Sequence, residues 1–511
     1  AATEPPVGRT VRVPDVHERV VYRGSGFDLS TCVWADGTVA PQGFRVLRQF
    51  RLEDGLPVWR FRFSDAIIER RVWMPDRRNE TRVRYEVIAA AEPVHLEVEI
   101  FAADRDHHAI GYGHPPLVSA VTERGVSVYG EGQEQPRVVG YWREQSATDA
   151  QWFATDDVYA GNLLSGETYR GLPDREDLWR AARTVSRVGP GTSAELVLSA
   201  ERSLGAVGVA DAAASRDTHA AVGVADAAGA GRSAEAAGVA TGGAPIQSDG
   251  LEAERQRRRD VGARFTASLP AKTPVPAEVA QLVLAADQFI VDRPLASGET
   301  GTTIIAGYPW FGDWGRDTMI ALPGLAIATG RVAEAGQIIR TFAQYVDKGM
   351  LPNLFPDGVT EPEYNTVDAT LWYFEAIRAY LAATGDADLV ATIRPVLRSI
   401  IAHHMAGTRY GIGVDPADGL LRAGADGVQL TWMDARIGDW VVTPRRGKPV
   451  EVNALWHHAL VVAAALERMP GGDPAAASEY ETAAERVAAS FSRFIAERGL
   501  YDVIDVIDEA D

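Results

Sequence analysis

Over the first 200 residues the large apolar positions recur every second residue. Val58-Trp59-Arg60-Phe61-Arg62-Phe63 alternates apolar with mostly basic side chains, Ser64-Asp65 supplies a turn, and a second run passes through Ile67, Ile68 and Val72. Residues 81–87 and 95–100 keep the same period. Half-polar strands joined by short turns predict antiparallel sheets packed as a sandwich over 1–200, their polar faces turned to solvent. From residue 275 the period lengthens to 3.6. Val332, Ala335, Ile338, Ile339 and Phe342 mark one helical face after a Gly330 stop, and Leu371, Phe374, Ile377 and Leu381 mark another, closed by Gly385. The pattern predicts about seven helices between 275 and 498, joined by loops rich in Trp, Asp, Gly and Pro. Long polar loops on a helical scaffold place a binding face at one end of the bundle.

Between these regions the pattern disappears. Ala-Val-Gly-Val-Ala-Asp-Ala-Ala occupies 206–213 and returns at 221–228, with a degenerate Ala-Ala-Gly-Val-Ala at 236–240. The unit carries no large apolar stripe, so 201–250 reads as an Ala/Gly-rich linker rather than a solenoid, followed by a connector at 251–274. Domain expectations are therefore 1–200, 201–250, 251–274 and 275–511.

Composition narrows the function. With 51 Lys+Arg against 70 Asp+Glu the formal charge is −19, which disfavours a nucleic-acid partner, because Lys and Arg on phosphates carry that affinity. No apolar run approaches the ~20 residues of a membrane span, and Ala1-Ala2-Thr3-Glu4-Pro5-Pro6 has no signal-peptide pattern, so a cytoplasmic setting is expected. The one cysteine, Cys32, excludes an internal disulfide and a thiolate cluster. There is no HExxH, Walker or GxGxxG pattern, and no metal or cofactor is expected. Oligomeric state is left open.

Tryptophan gives the first chemical clue. Six of the 12 (Trp310, Trp314, Trp372, Trp432, Trp440, Trp456) fall between 310 and 456, where an even spread would put three or four. Flat aromatic faces beside carboxylates and amides suit a sugar, which offers C–H faces to stack on and hydroxyls to bond. Trp372 and Trp456, at helical spacing, are better read as core. The densest cluster, residues 308–318, sets Trp310, Asp313, Trp314, Arg316 and Asp317 on a Gly-punctuated turn before a helix beginning near Thr318. An Arg–Asp pair can grip adjacent hydroxyls; the competing reading is an Asp317 helix cap with an Arg316–Asp313 ion pair. Asn365 as N-cap and Asp368 in the first turn of the next helix have a sufficient structural role of their own. In residues 430–440, Asp434 sits between Trp432-Met433 and apolar neighbours. Burial there would push its carboxyl upward, as a general acid at neutral pH requires. Asp439 reads as a hydroxyl or loop ligand, though the two roles are exchangeable.

Ala306-Gly-Tyr-Pro-Trp-Phe-Gly-Asp-Trp-Gly-Arg-Asp-Thr-Met-Ile-Ala-Leu-Pro-Gly324 resembles the signature of the prokaryotic glycogen-debranching, amylo-α-1,6-glucosidase family. So do Leu351-Pro-Asn-Leu354, Tyr364-Asn-Thr-Val-Asp-Ala-Thr-Leu-Trp372 and Gln429-Leu-Thr-Trp-Met-Asp434 through Trp456. Trp34-Ala-Asp-Gly-Thr38 and Phe50-Arg-Leu-Glu-Asp-Gly-Leu-Pro-Val-Trp59 extend the resemblance to the amino-terminal region. It implies a β-sandwich followed by a partial (α/α)6 barrel, a glucoamylase-like toroid. The implied activity is hydrolysis of α-1,6-linked glucose at branch points of glycogen or another branched α-glucan. Trp314, Arg316 and Asp317 would then form the pocket for the terminal glucose, Asp434 would match the acid, and Glu451 and Asn453 would lie near the pocket.

Twelve helices make such a barrel, against about seven expected here. An inverting glycosidase also needs a second carboxylate ~6.5–9.5 Å from the acid. In the family that base resembles a carboxylate late in the barrel, so a chain truncated at both ends is expected, with Asp439 or Glu451 the stand-ins available before residue 511. The enzymatic alternative is a glucoamylase- or trehalase-like specificity on the same barrel; the non-enzymatic one is a glucan-binding remnant.

Overall fold

The computed structural model describes residues 2–4, 6–143, 148–201, 250–295, 298–355 and 361–507. The repeats of 201–250 lie outside the described residues. Contacts divide the chain into a β-rich unit, Thr10–Arg259, and a second unit made of Ala2–Arg9 and Asp260–Asp511.

The alternating runs become two antiparallel sheets around one core. The larger runs from Leu117–Thr122 through Gly125–Gly130, Pro136–Trp142, Ser193–Ser199, Glu80–Ala89, Ala66–Trp73 and Leu56–Phe63 to Leu47–Glu53. The smaller is ordered Thr148–Leu163, Arg175–Val188, Val94–Ala102, Asp15–Tyr22, Ser25–Asp28. Consecutive strands Glu80–Ala89 and Val94–Ala102 belong to different sheets, and this crossing closes the sandwich. Phe61, Phe63, Ile68, Val83 and Tyr85 from one sheet share a core with Val20, Tyr22, Leu96, Val98 and Ile100 from the other. Phe63 pairs with Ala66 across the expected turn, where Ser64 takes positive φ.

The expectation that every polar face is solvated fails on one face. Arg60 pairs in register with Glu69, and Glu69 also takes Arg51 and Arg71 while remaining 1% exposed. Opposite charges set across neighbouring strands satisfy one another there instead of bonding water. Helix Gly250–Ser268 occupies much of the stretch expected as a connector. Its Leu251 is buried with Leu56 and Trp73, and Arg255 bonds Glu53 at 2.9 Å.

From 275 onward the described residues hold seven α-helices. Helix Val332–Ala343 buries Ala335, Ile338, Ile339 and Phe342 as the pattern predicts, and Gly330 before it has φ +79°. Helix Asp368–Thr384 buries Leu371, Phe374 and Ile377 and ends at Gly385, φ +66°, whose N–H reaches the Leu381 carbonyl. Trp456, on helix Val450–Glu467, is fully buried and stacked on His404, in the core role read for it, and Trp372 packs against the same core. No helix among the described residues is long and apolar enough to cross a membrane.

Candidate active site

Helix Gly315–Leu322 starts earlier than expected and carries Arg316 and Asp317 in its first turn. Its first residue has to be glycine, because the Pro352 carbonyl oxygen stands 2.0 Å from where a Cβ would be. That approach lets the Gly315 N–H donate to the Asn353 carbonyl at 2.8 Å, and Trp314 bridges Leu354. The segment at 351–354 is thereby tied to 314–315. Asn353 in turn donates to Asn365 at 3.2 Å, and the Val367 N–H bonds the Leu430 carbonyl at 2.8 Å. Four stretches far apart in sequence meet through backbone and amide bonds.

At their meeting point lies one guanidinium. Arg316 Nε donates to both oxygens of Asp368 at 2.9 Å, Nη1 donates to Asp434 at 2.8 Å, and Nη2 reaches Thr366 Oγ1 at 3.4 Å. Thr366 donates to Asp368 at 2.8 Å and accepts from the Ala369 N–H, so Thr366, and not Asn365, supplies the local cap. Burial pushes the Asp368 carboxyl upward, opposed by Arg316 and the Thr366 hydroxyl. Half-buried Asp317 is pushed the same way by burial, with Arg316 opposing and the charges of Asp434 and Asp368 adding. The site is thus one cation among three carboxylates, and Asp434, its side chain 36% exposed, is the most open of the two that touch it.

Other expected residues stand elsewhere. Asp313 is fully buried in a fork with Arg293 (2.6 and 3.0 Å) and accepts from Thr303 at 3.1 Å, which joins hairpin Ile290–Pro294/Thr300–Ile304 to the loop before the helix. It therefore has no open face for a sugar and no bond to Arg316; burial pushes its carboxyl up against the pull of Arg293. Asn453 is likewise buried, accepting from the Leu421 N–H and donating to the Leu421 and Pro449 carbonyls, a clamp between loop and helix. Glu451 is forked by Arg445, which also grips Asp502. Asp439 projects into solvent from hairpin Arg436–Ile437/Trp440–Val441 and meets Arg436 at 3.3 Å. Trp440 on that hairpin is 61% exposed and Trp432 57%. The apolar wedge expected around Asp434 is thus replaced by a guanidinium on one side and an open tryptophan nearby. Half-buried Trp310 rides a loop whose Pro309 and Phe311 carbonyls accept from Arg9.

Sequence reasoning missed Arg293, Thr366, Asn353 and Arg9 as parts of this construction. Thr366 and Asn353 lie inside the motif runs, so the motifs were the available signal. Arg293 and Arg9 lie 20 and about 300 residues from their partners and carried none.

Two family models match the chain: one described as glycogen debranching enzyme N terminal over residues 1–195, and one as amylo-alpha-1,6-glucosidase over residues 284–511. The glycogen debranching enzyme of Saccharomyces cerevisiae (strain ATCC 204508 / S288c) is 26% identical over 222 residues, covering 32% of this chain and 14% of the yeast protein. A crystal structure of a bacterial glucoamylase complexed with acarbose matches with a TM-score of 0.51 at 11% identity, covering 98% of this chain and 66% of that one. That likeness shows the fold: an antiparallel β-rich domain followed by a glucoamylase-like (α/α)6 helical region. The chain spans less than two thirds of either relative's length.

Proposed function

From the premise that this chain belongs to the glycogen debranching, amylo-alpha-1,6-glucosidase family, we propose that it is a glycoside hydrolase acting on α-1,6-linked glucose of a branched α-glucan. The observation that carries this reading is the junction of Arg316 with Asp368 and Asp434, with Asp317 next to Arg316 in the same helical turn. A terminal glucose needs donors and acceptors in fixed positions around its hydroxyls, and a carboxyl at its glycosidic oxygen. In this assignment Arg316 and Asp317 bind the hydroxyls. Buried Asp368 holds Arg316 and does not itself meet the sugar. An incoming hydroxyl takes the place of Asp434 on Arg316 Nη1; the freed carboxylate takes up a proton from solvent and passes it to the departing oxygen. Trp432 and Trp440 offer open faces for further glucose units of the chain.

The reaction is proposed to be inverting, which requires a base across the scissile bond. Neither Glu451, forked by Arg445, nor solvent-facing Asp439 is assigned that role. The setting is proposed to be cytoplasmic, with glycogen or a similar polymer as partner. Glucose release from a branched limit dextrin, compared with maltose and trehalose, tests the specificity. Preference for maltose or trehalose would instead indicate a glucoamylase- or trehalase-like enzyme, and glucan binding without any release would indicate a binding protein.

A further inference from the structure

The β-rich unit brings together a second set of chemically active side chains, remote in sequence from the carboxylate junction. Asp15 and His17 are two residues apart on strand Asp15–Tyr22 and so project from the same face. Cys32 comes from strand Thr31–Val33, and one carboxylate oxygen, one imidazole nitrogen and the sulfur all lie within 4.8 Å of one another. His17 Nε2 stands 3.2 Å from Asp15 Oδ2. Asn162 adjoins them: its Oδ1 accepts from Cys32 Sγ at 2.8 Å, and its backbone is fixed there by the bridge between Trp34 and Asn162. His17 and Cys32 are buried, while Asp15 is half-buried at the wall of a cavity of about 720 Å³ that also touches Glu18, Ser30 and Arg70.

We propose that Asp15, His17 and Cys32, with a water as fourth ligand, form a zinc site; Asn162 Oδ1, 2.8 Å from Sγ, lies closer than the roughly 3.6 Å between sulfur and oxygen ligands of a tetrahedral zinc and serves as a neighbour of the thiol. The donor set decides the metal: one thiolate and one imidazole beside oxygen suit zinc, whereas calcium and magnesium take oxygen ligands. The spacing fits as well. Tetrahedral bonds of about 2.0–2.1 Å place a nitrogen and an oxygen ligand about 3.3 Å apart, close to the separation of Nε2 and Oδ2. The half-buried Asp15 leaves the ion a path from the cavity. On binding, the thiol proton that faces Asn162 passes to solvent and the sulfur bonds the metal, while the proton between His17 Nε2 and Asp15 Oδ2 leaves Nε2, so that the neutral ring keeps its N–H at Nδ1 and offers Nε2 to the ion.

Two other groupings lack these features. Asp415, Asp418 and Asp505 already surround the Lys448 ammonium at 2.6–2.8 Å, and Asp106, His107 and His108 are neighbours on one open turn.

The test is metal content and cobalt spectroscopy on the purified chain. One zinc per chain is expected, and cobalt in its place should give a near-ultraviolet thiolate-to-metal band with intense visible bands of tetrahedral coordination. Cys32→Ser should abolish the near-ultraviolet band, and Cys32→Ser or His17→Gln should each weaken zinc binding by more than about tenfold. Absence of stoichiometric zinc, or a pale octahedral cobalt spectrum in the wild-type protein, would overturn the assignment without recourse to any variant. Unchanged zinc affinity in folded Cys32→Ser and His17→Gln would overturn it equally, placing the ion elsewhere.

Discussion

Replacing Arg316 with Met removes the one cation at the carboxylate junction while keeping an unbranched side chain of similar reach. The loss is concentrated on Asp368, which is 1% exposed and receives both of its Nε bonds from Arg316. Breaking a buried ion pair from one side costs about 3–5 kcal/mol, because the surviving charge is stranded. For a unit of this size that corresponds to a fall in Tm of roughly 6–20 °C. Asp368 can escape part of the penalty by taking up a proton, and burial already pushes its carboxyl in that direction. The destabilisation should therefore shrink as pH is lowered. Arg316→Met/Asp368→Asn removes the stranded charge and should recover most of the lost Tm, while glucose and glucan binding stays absent in both variants. Calorimetric melting across pH, paired with calorimetric titration of a maltooligosaccharide, reads both effects. A loss below about 0.5 kcal/mol for Arg316→Met, or restored sugar binding in the double variant, would refute the division between Asp368 as anchor and Arg316 as ligand.

Further consequences follow from other residues. His404 is fully buried against Trp456, and burial lowers its pKa from 6.5 to about 4. The unfolded chain binds this proton more readily, so the contribution is complete above pH 6.5 and lost as pH falls toward 4. It amounts to about 3 kcal/mol there, and denaturant unfolding of His404→Leu should show that much less acid sensitivity. Trp432→Ala and Trp440→Ala, both at exposed positions, should leave Tm within about 1–2 °C of wild type, yet weaken glucan binding by about tenfold each in affinity electrophoresis. Asn453→Ala removes the bond from the Leu421 N–H and those to the Leu421 and Pro449 carbonyls and should cost about 2–3 kcal/mol in unfolding. Sugar affinity of the folded fraction should stay unchanged, whereas a role at the sugar would reverse that order.

The strand and helix architecture was legible because its periodicities are local. The alternation at 58–63 and the faces at 332–342 and 371–381 each declare a buried side within a few turns or residues. The charge ladder on the larger sheet was misread for the complementary reason. Whether Arg60 meets water or Glu69 depends on strand register and on what packs above, and alternation alone carries neither. At the site, the motif runs identified the segments that converge but not how individual side chains divide their work. Asp313 and Arg316 are three residues apart, yet one is sealed against Arg293 and the other faces Asp434. Asn453 follows Glu451 by two residues on a helix start and points into the protein instead of toward a ligand. Roles of this kind are set by partners 20 to 120 residues away, which short-range pattern does not encode.

Turnover of Asp434→Asn on a branched limit dextrin, measured beside its glucan affinity, tests the central assignment most directly. The substitution keeps the side chain's shape and its place beside Arg316 but removes the proton that the leaving oxygen requires. Glucose release should fall by about 10²–10⁴-fold with affinity retained. Release within a few-fold of wild type would show that the acid lies elsewhere.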